Sequence, residues 1–138
     1  MIEADAVALG SPSMDNNRIE QYDMEPFVNQ FKLTPNNNKK MILFGSYGWD
    51  NGEFMVEWVK RMKDYGFDVV GSLAVNESPN DDEINSAKEL AKKASVLLGK
   101  EVILSTFEEL ELKEKFHGIW ACASLLHIKR EDLKTVLN

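Results

Sequence analysis

Three short apolar runs constrain the fold of this chain more than any other feature. Ala6 to Leu9 leads into Gly10-Ser11-Pro12-Ser13, Met41 to Phe44 leads into Gly45-Ser46-Tyr47-Gly48, and Phe67 to Val75 leads into Asn76-Glu77-Ser78-Pro79. Such runs, closed by turn-forming residues, are expected of strands buried on both faces. Helical spacing separates them. Phe54, Val56, Trp58, Val59, Met62 and Tyr65 give one wide apolar face that stops at Gly66, a natural C-terminal cap. Ser78-Pro79-Asn80-Asp81-Asp82-Glu83 supplies capping residues, proline and acids where a helix begins. Ile84, Ala87, Leu90, Ala91, Ala94, Leu97 and Leu98 then form a second apolar stripe, closed by Gly99. This alternation predicts an α/β protein with a mostly parallel sheet and helices on both of its faces.

The remaining segments fill in the order. From Arg18 to Phe31 the residues Ile19, Tyr22, Phe27, Val28 and Phe31 recur at roughly helical spacing, and Pro26 forces a restart near Glu25. Thr34 to Asn38 is a turn cluster, Lys39 to Phe44 a second strand, and Gly45 to Gly52 a glycine-rich loop. Glu101 to Thr106 and Gly118 to Leu125 read as strands four and five, and Arg130 to Leu137 as a closing helix. The mixed charges of Phe107 to Phe116, between those two strands, read as a solvated surface segment. The expectation is one three-layer domain over residues 1–138 with five strands.

Charge and cysteine usage narrow the classes of function. Sixteen Lys and Arg against 23 Asp and Glu give a formal charge of -7, which repels a nucleic-acid backbone. Nucleic acid is therefore not an expected partner. Cys122 is alone, so no internal disulfide and no CxxC pair is available. Ile119 to Leu126, the longest nearly apolar run, is far below the ~20 residues of a membrane helix, and Met1 to Asp5 lacks the pattern of a leader. A cytoplasmic protein without a membrane partner is expected. Cys122 lies mid-strand, where a buried inert thiol is the ordinary reading rather than a nucleophile paired with His117 or His127. His127, just past a strand end, is the better placed of the two histidines, although a solvated loop histidine is the favoured reading. Asp81, Asp82 and Glu83 serve a helix dipole before they serve a metal.

Several motifs together resemble the second half of a short-chain bacterial flavodoxin. They are Leu9-Gly10-Ser11-Pro12-Ser13-Met14, Glu25-Pro26-Phe27, Leu43-Phe44-Gly45-Ser46-Tyr47-Gly48-Trp49 and Val75-Asn76-Glu77-Ser78-Pro79, in that order, within about residues 4–97. The resemblance implies a doubly wound sheet of order 2-1-3-4-5, with the first three strands here standing for the family's third, fourth and fifth. It implies two loops around the flavin ring of FMN: Ser11 to Asn17, with Met14 on one ring face, and Gly45 to Gly52, with Trp49 on the other. The site residues it nominates are Met14, Asp15, Asn16, Ser46, Tyr47, Gly48 and Trp49. A thioether and a large aromatic suit a flat π system because they offer contact area without demanding one hydrogen bond. Asp15 stands where the family usually has a glycine whose peptide flips on flavin reduction, and Asp enters the left-handed region less readily. The family's phosphate-seating loop, between its first strand and first helix, has no counterpart before Ala4.

The tail is similar to a different family. Gly99 to Leu110 and Phe116 to Ile128, with the string Ile119-Trp120-Ala121-Cys122-Ala123-Ser124-Leu125-Leu126-His127, resemble the middle of a small S-adenosylmethionine-dependent methyltransferase of the tellurite-resistance type. Its glycine-rich cofactor motif lies upstream of the matching piece. Together the two resemblances imply an engineered chimera, flavodoxin-like over 4–97 and methyltransferase-like over 98–138. The leading expectation is an inactive scaffold, not an enzyme, that needs no cofactor and binds FMN weakly at most. The alternatives are an FMN-binding electron carrier and an S-adenosylmethionine-binding fragment. The expected strand order is 5-4-1-2-3, and an unpaired sheet edge offers a route to a homodimer.

Overall fold

The computed structural model describes residues 6–77, 79–103, 105 and 131. Its sheet is parallel: β1 (Ala6–Gly10) pairs with β4 (Lys40–Tyr47), which pairs with β5 (Asp68–Asn76). A small antiparallel ribbon of β2 (Ser13–Met14) and β3 (Arg18–Ile19) stands beyond the end of β1. The helices are α1 (Met24–Asn29), which runs into a 3-10 turn at Gln30–Leu33, α2 (Glu53–Asp64) and α3 (Asp81–Leu98).

Strand alternation decides which helix covers which face. Val7, Met41 and Leu43 point to one side, where they pack with Met24 and Val28 of α1, Phe31, and Phe54, Met55, Trp58 and Met62 of α2. Met41, Leu43, Val28 and Met62 are fully buried there, so the α1/α2 side holds the main core. Ile42 points to the other side, against α3: a side chain added at Gly71, its partner on β5, would meet Leu90 of α3 at 2.7 Å. Helices on both faces of a parallel sheet give the expected α/β class. The adjacency of the first three expected strands is also as read from the sequence.

Two further strands are not seen. Glu101, Val102 and Ile103 lie in no strand. The rest of the expected strand four, strand five at Gly118 to Leu125 and nearly all of the closing helix lie outside the described residues. So do the outer places of the 5-4-1-2-3 order.

Three expectations need correction. Arg18 to Phe31 is not one helix. Arg18–Ile19 belongs to the ribbon, whereas the restart expected near Glu25 is where the helix lies: it starts at Met24 because the buried Glu20 carboxylate accepts hydrogen bonds from the backbone N–H groups of Tyr22, Asp23 and Met24 at 2.5, 2.8 and 2.8 Å. Those groups have no partner inside a helix, so satisfying them fixes where a helix begins. Pro26 then sits in the first turn, where its missing N–H costs nothing. Second, Gly45, Ser46 and Tyr47 are strand rather than loop, paired with Ala74, Val75 and Asn76. Third, the apolar stripes are less covered than their periodicity suggests. Val56 is 68% exposed, with Met55 buried in its place, and of the α3 stripe only Ala94 is buried.

Charged side chains complete the packing. Arg61 of α2 donates to both Glu25 carboxylate oxygens of α1, at 2.9 and 3.0 Å, and to Asn29 Oδ1 at 2.9 Å. Burial alone would lower the Arg61 pKa, but its hydrogen bonds to Glu25 and Tyr65 outweigh that and hold the pKa above its ordinary value. On the opposite face, the pairing of β4 with β5 skips Val70, and Lys93 Nζ of α3 donates to the Val70 carbonyl.

The start of α3 is the best-defined helix end. Asn80 Oδ1 accepts from the N–H groups of Asp82 and Glu83, each at 3.0 Å, and Glu83 Oε2 accepts from Asn80 N–H at 2.9 Å. Glu83 Oε1 also accepts from Asn76 N–H at the end of β5, at 3.1 Å. These bonds, Asn80 first and Asn76 second, hold the Glu83 carboxyl below its usual range. A depressed folded-state pKa means that the stabilisation is complete above the ordinary Glu value and is lost as pH falls through the depressed one. Urea unfolding should therefore show stability falling with acidification across that window, with a shallower fall in Glu83→Gln. Superimposable pH profiles for the two proteins would contradict this role.

Candidate functional site

Adjacent parallel strands place their C-terminal ends side by side, and in open α/β sheets ligands bind beyond those ends. Here the ends of β1 and β4 launch the 11–17 segment and the 48–52 loop. One close contact joins their bases. Ser11 N–H donates to the Phe44 carbonyl at 3.1 Å, and a side chain at Gly45 would overlap the Ser11 carbonyl oxygen, so only glycine fits. Ser11 Oγ also accepts from Glu20 N–H at 2.9 Å, which ties the first segment to the start of α1.

The two rims meet above this contact. Trp49, 53% exposed, donates from Nε1 to Asn17 Oδ1 at 2.9 Å. Met14 is half-buried at the end of β2, while Asp15 and Asn16 are exposed in the turn to β3. The left-handed residues of that turn are Asn16 and Asn17, with φ of 60° and 54°, and not Asp15. Asparagine takes that conformation more readily than aspartate does, so Asp15 imposes no strain where the family's glycine would stand. Gln21 Nε2 holds the turn by donating to the Asp15 and Ile19 carbonyls at 2.9 and 3.1 Å. On the other rim, Asp50 is left-handed at φ 67° and its Oδ1 accepts from Gly52 N–H at 2.6 Å. Ser13 Oγ and Asp50 Oδ2, one on each rim, are buried without a hydrogen-bond partner among the described residues.

Of the nominated residues, Met14, Asp15 and Asn16 thus form one rim, and Gly48 and Trp49 the other. Ser46 and Tyr47 lie lower, in β4, where Tyr47 packs against the core. Asn17, Ser11, Glu20 and Gln21 hold the site together but were not singled out by sequence. The Asn16-Asn17 pair, prone to left-handed turns, was the available signal. Trp58 is core, as expected. Trp120, Cys122, His117 and His127 lie outside the described residues. Among the described residues no group of three His, Cys, Asp or Glu side chains could hold a metal. An open groove of about 640 Å³ between α3 and β5, lined by Gly71, Leu73, Leu90, Lys93 and Val96, lies apart from these rims.

No family model matches the chain. The flavodoxin of Megasphaera elsdenii is 41% identical over 92 residues, 66% of this chain and 64% of that protein. The flavodoxin of Clostridium beijerinckii is 32% identical over 93 residues, 67% of each. The chain belongs to the flavodoxin family. A solution structure of two-electron reduced Megasphaera elsdenii flavodoxin matches with a TM-score of 0.50 and 35% identity, covering 61% of this chain and 64% of that one. The chain therefore spans about two thirds of the length of these flavodoxins. Membership overturns the expectation of an inactive scaffold, because flavodoxin relatives at these identities point to the carrier reading instead.

The contact at the base of the rims gives a test. Gly45→Ala should destabilise the protein by about 1–3 kcal/mol, the usual cost of forcing atoms into a packed site. Chemical denaturation measures it, and a loss below ~0.5 kcal/mol would show that β4 and Ser11 are not held this closely.

Proposed function

We propose that this chain is an FMN-binding electron carrier rather than an enzyme, with the flavin ring held between Met14 and Trp49. One observation carries the reading: in a chain of this family, the two segments expected at the ring leave adjacent strand ends and are joined by the Trp49 to Asn17 hydrogen bond. The relative solved in its two-electron reduced state supports a redox role.

The residues present fit the ring. Trp49 offers an exposed indole and Met14 a half-buried thioether, both suited to stacking. The partnerless Ser13 Oγ and Asp50 Oδ2 matter as well, since a buried polar atom without a partner costs about 1–3 kcal/mol. A ligand with hydrogen-bonding groups along its edge relieves that cost where those groups reach the two atoms. When bound, FMN supplies the one- and two-electron chemistry. The chain stacks the ring, shields it from water and fixes its orientation. These residues account for recognition of the ring. No helix among the described residues is long and apolar enough to cross a membrane.

The S-adenosylmethionine reading of the tail rests on residues that lie almost wholly outside those described, and it forms no part of this proposal. Titrating FMN with the protein and following flavin fluorescence tests the carrier reading. Quenching that saturates is expected, with binding at least about tenfold weaker in Trp49→Ala, in line with the ~1–3 kcal/mol that an aromatic platform contributes to a stacked base. Flavin fluorescence left unchanged by excess protein would overturn the reading.

A further inference from the structure

Resting on the flavin reading above, we propose that Asn17 is a positioning residue: its side-chain carbonyl sets the plane of the Trp49 indole before the ring arrives. An aromatic side chain on a loop must surrender rotational freedom when a ligand stacks on it, and a partner that fixes it beforehand removes that cost from binding. Nε1–H is the only hydrogen-bond donor of an indole and lies on the ring edge. The 2.9 Å bond to Asn17 Oδ1 therefore restrains the ring by its edge and occupies neither face, and the side chain is 53% exposed.

The anchor is itself rigid. Asn17 holds φ 54° in a turn closed by the pairing of Ser13–Met14 with Arg18–Ile19. Gln21 Nε2 staples that turn from outside by bridging the Asp15 and Ile19 carbonyls. The indole plane is thus referred back, through the ribbon and Ser11, to the end of β1 rather than to its own loop alone.

Two variants separate positioning from folding. Asn17→Gly removes the acceptor but accepts φ 54° without strain, so the turn is kept. Asn17→Asp keeps an acceptor oxygen at the same place. Riboflavin is the probe because it carries the ring without the phosphate. Its affinity, read by flavin fluorescence quenching, should fall about threefold to tenfold in Asn17→Gly and return to within about twofold of the wild type in Asn17→Asp. In the ligand-free protein, the Trp49 indole N–H resonance, identified by its disappearance in Trp49→Phe, should move in Asn17→Gly and hold in Asn17→Asp. A wild type that leaves riboflavin fluorescence unquenched brings down the flavin reading and this inference together. A wild type that binds riboflavin, with an Asn17→Gly variant that binds as tightly or leaves the indole resonance in place, overturns the inference alone. So does an Asn17→Asp variant as weak as Asn17→Gly.

Discussion

The close approach of β4 to the segment leaving β1 is the constraint from which the rest of the site follows. Gly45 lies against the Ser11 carbonyl, and the N–H of Ser11 extends the β1–β4 ladder by one more bond, to Phe44. Because the two backbones touch, the segments beyond them start side by side. Ser11 Oγ also accepts from the N–H of Glu20, whose carboxylate starts α1, and α1 is locked to α2 by Glu25 and Arg61. A single steric requirement, no side chain at position 45, thus connects the rims of the site to the buried side of the sheet.

The main elements were legible because apolar patterns report burial. The strands at Ala6, Met41 and Asp68 begin within a residue or two of where their runs begin, and Gly66 and Gly99 have the left-handed φ expected of helix ends. What periodicity cannot report is a contact made by a polar side chain at a distance. Glu20 reads as one more surface acid, yet it is buried and starts a helix, which is why a helix from Arg18 looked reasonable. The strand through Tyr47 was hidden for a related reason. Gly45 and Gly48 look like loop, although Gly45 is there to permit contact rather than to turn the chain.

The site itself was legible through resemblance more than through composition. Met14 and Trp49 are nominated by motif, and nothing in their spacing of 35 residues reveals that the rims carrying them meet. The bond that joins the rims runs from Trp49 to Asn17, one residue beyond the last one nominated in the first loop. Sequence could place Asn17 in a turn, but only the fold shows which donor its carbonyl faces. The inactive-scaffold reading weighed the expected lack of a phosphate loop above the ring loops the resemblance nominated, and the identities to the two flavodoxins reverse that weighting.

The uneven burial of the two helical layers has a dynamic consequence. The layer of α1 and α2 shares a core of fully buried side chains, whereas among the described residues α3 is attached through Ala94, Leu90, the Lys93 bond to β5, the Ser95 bond to Val102 and its capped start. Segments open in proportion to the contacts they must break, and among the described residues α3 has fewer buried contacts to break than the opposite layer. Its detachment uncovers Gly71 and Ile42 while leaving Ser11, Glu20 and the ribbon in place. Among the described residues the bonds that hold Trp49, Asn17, Ser11 and Glu20 together run to the α1 side and not to α3, so loss of α3's contacts breaks none of them.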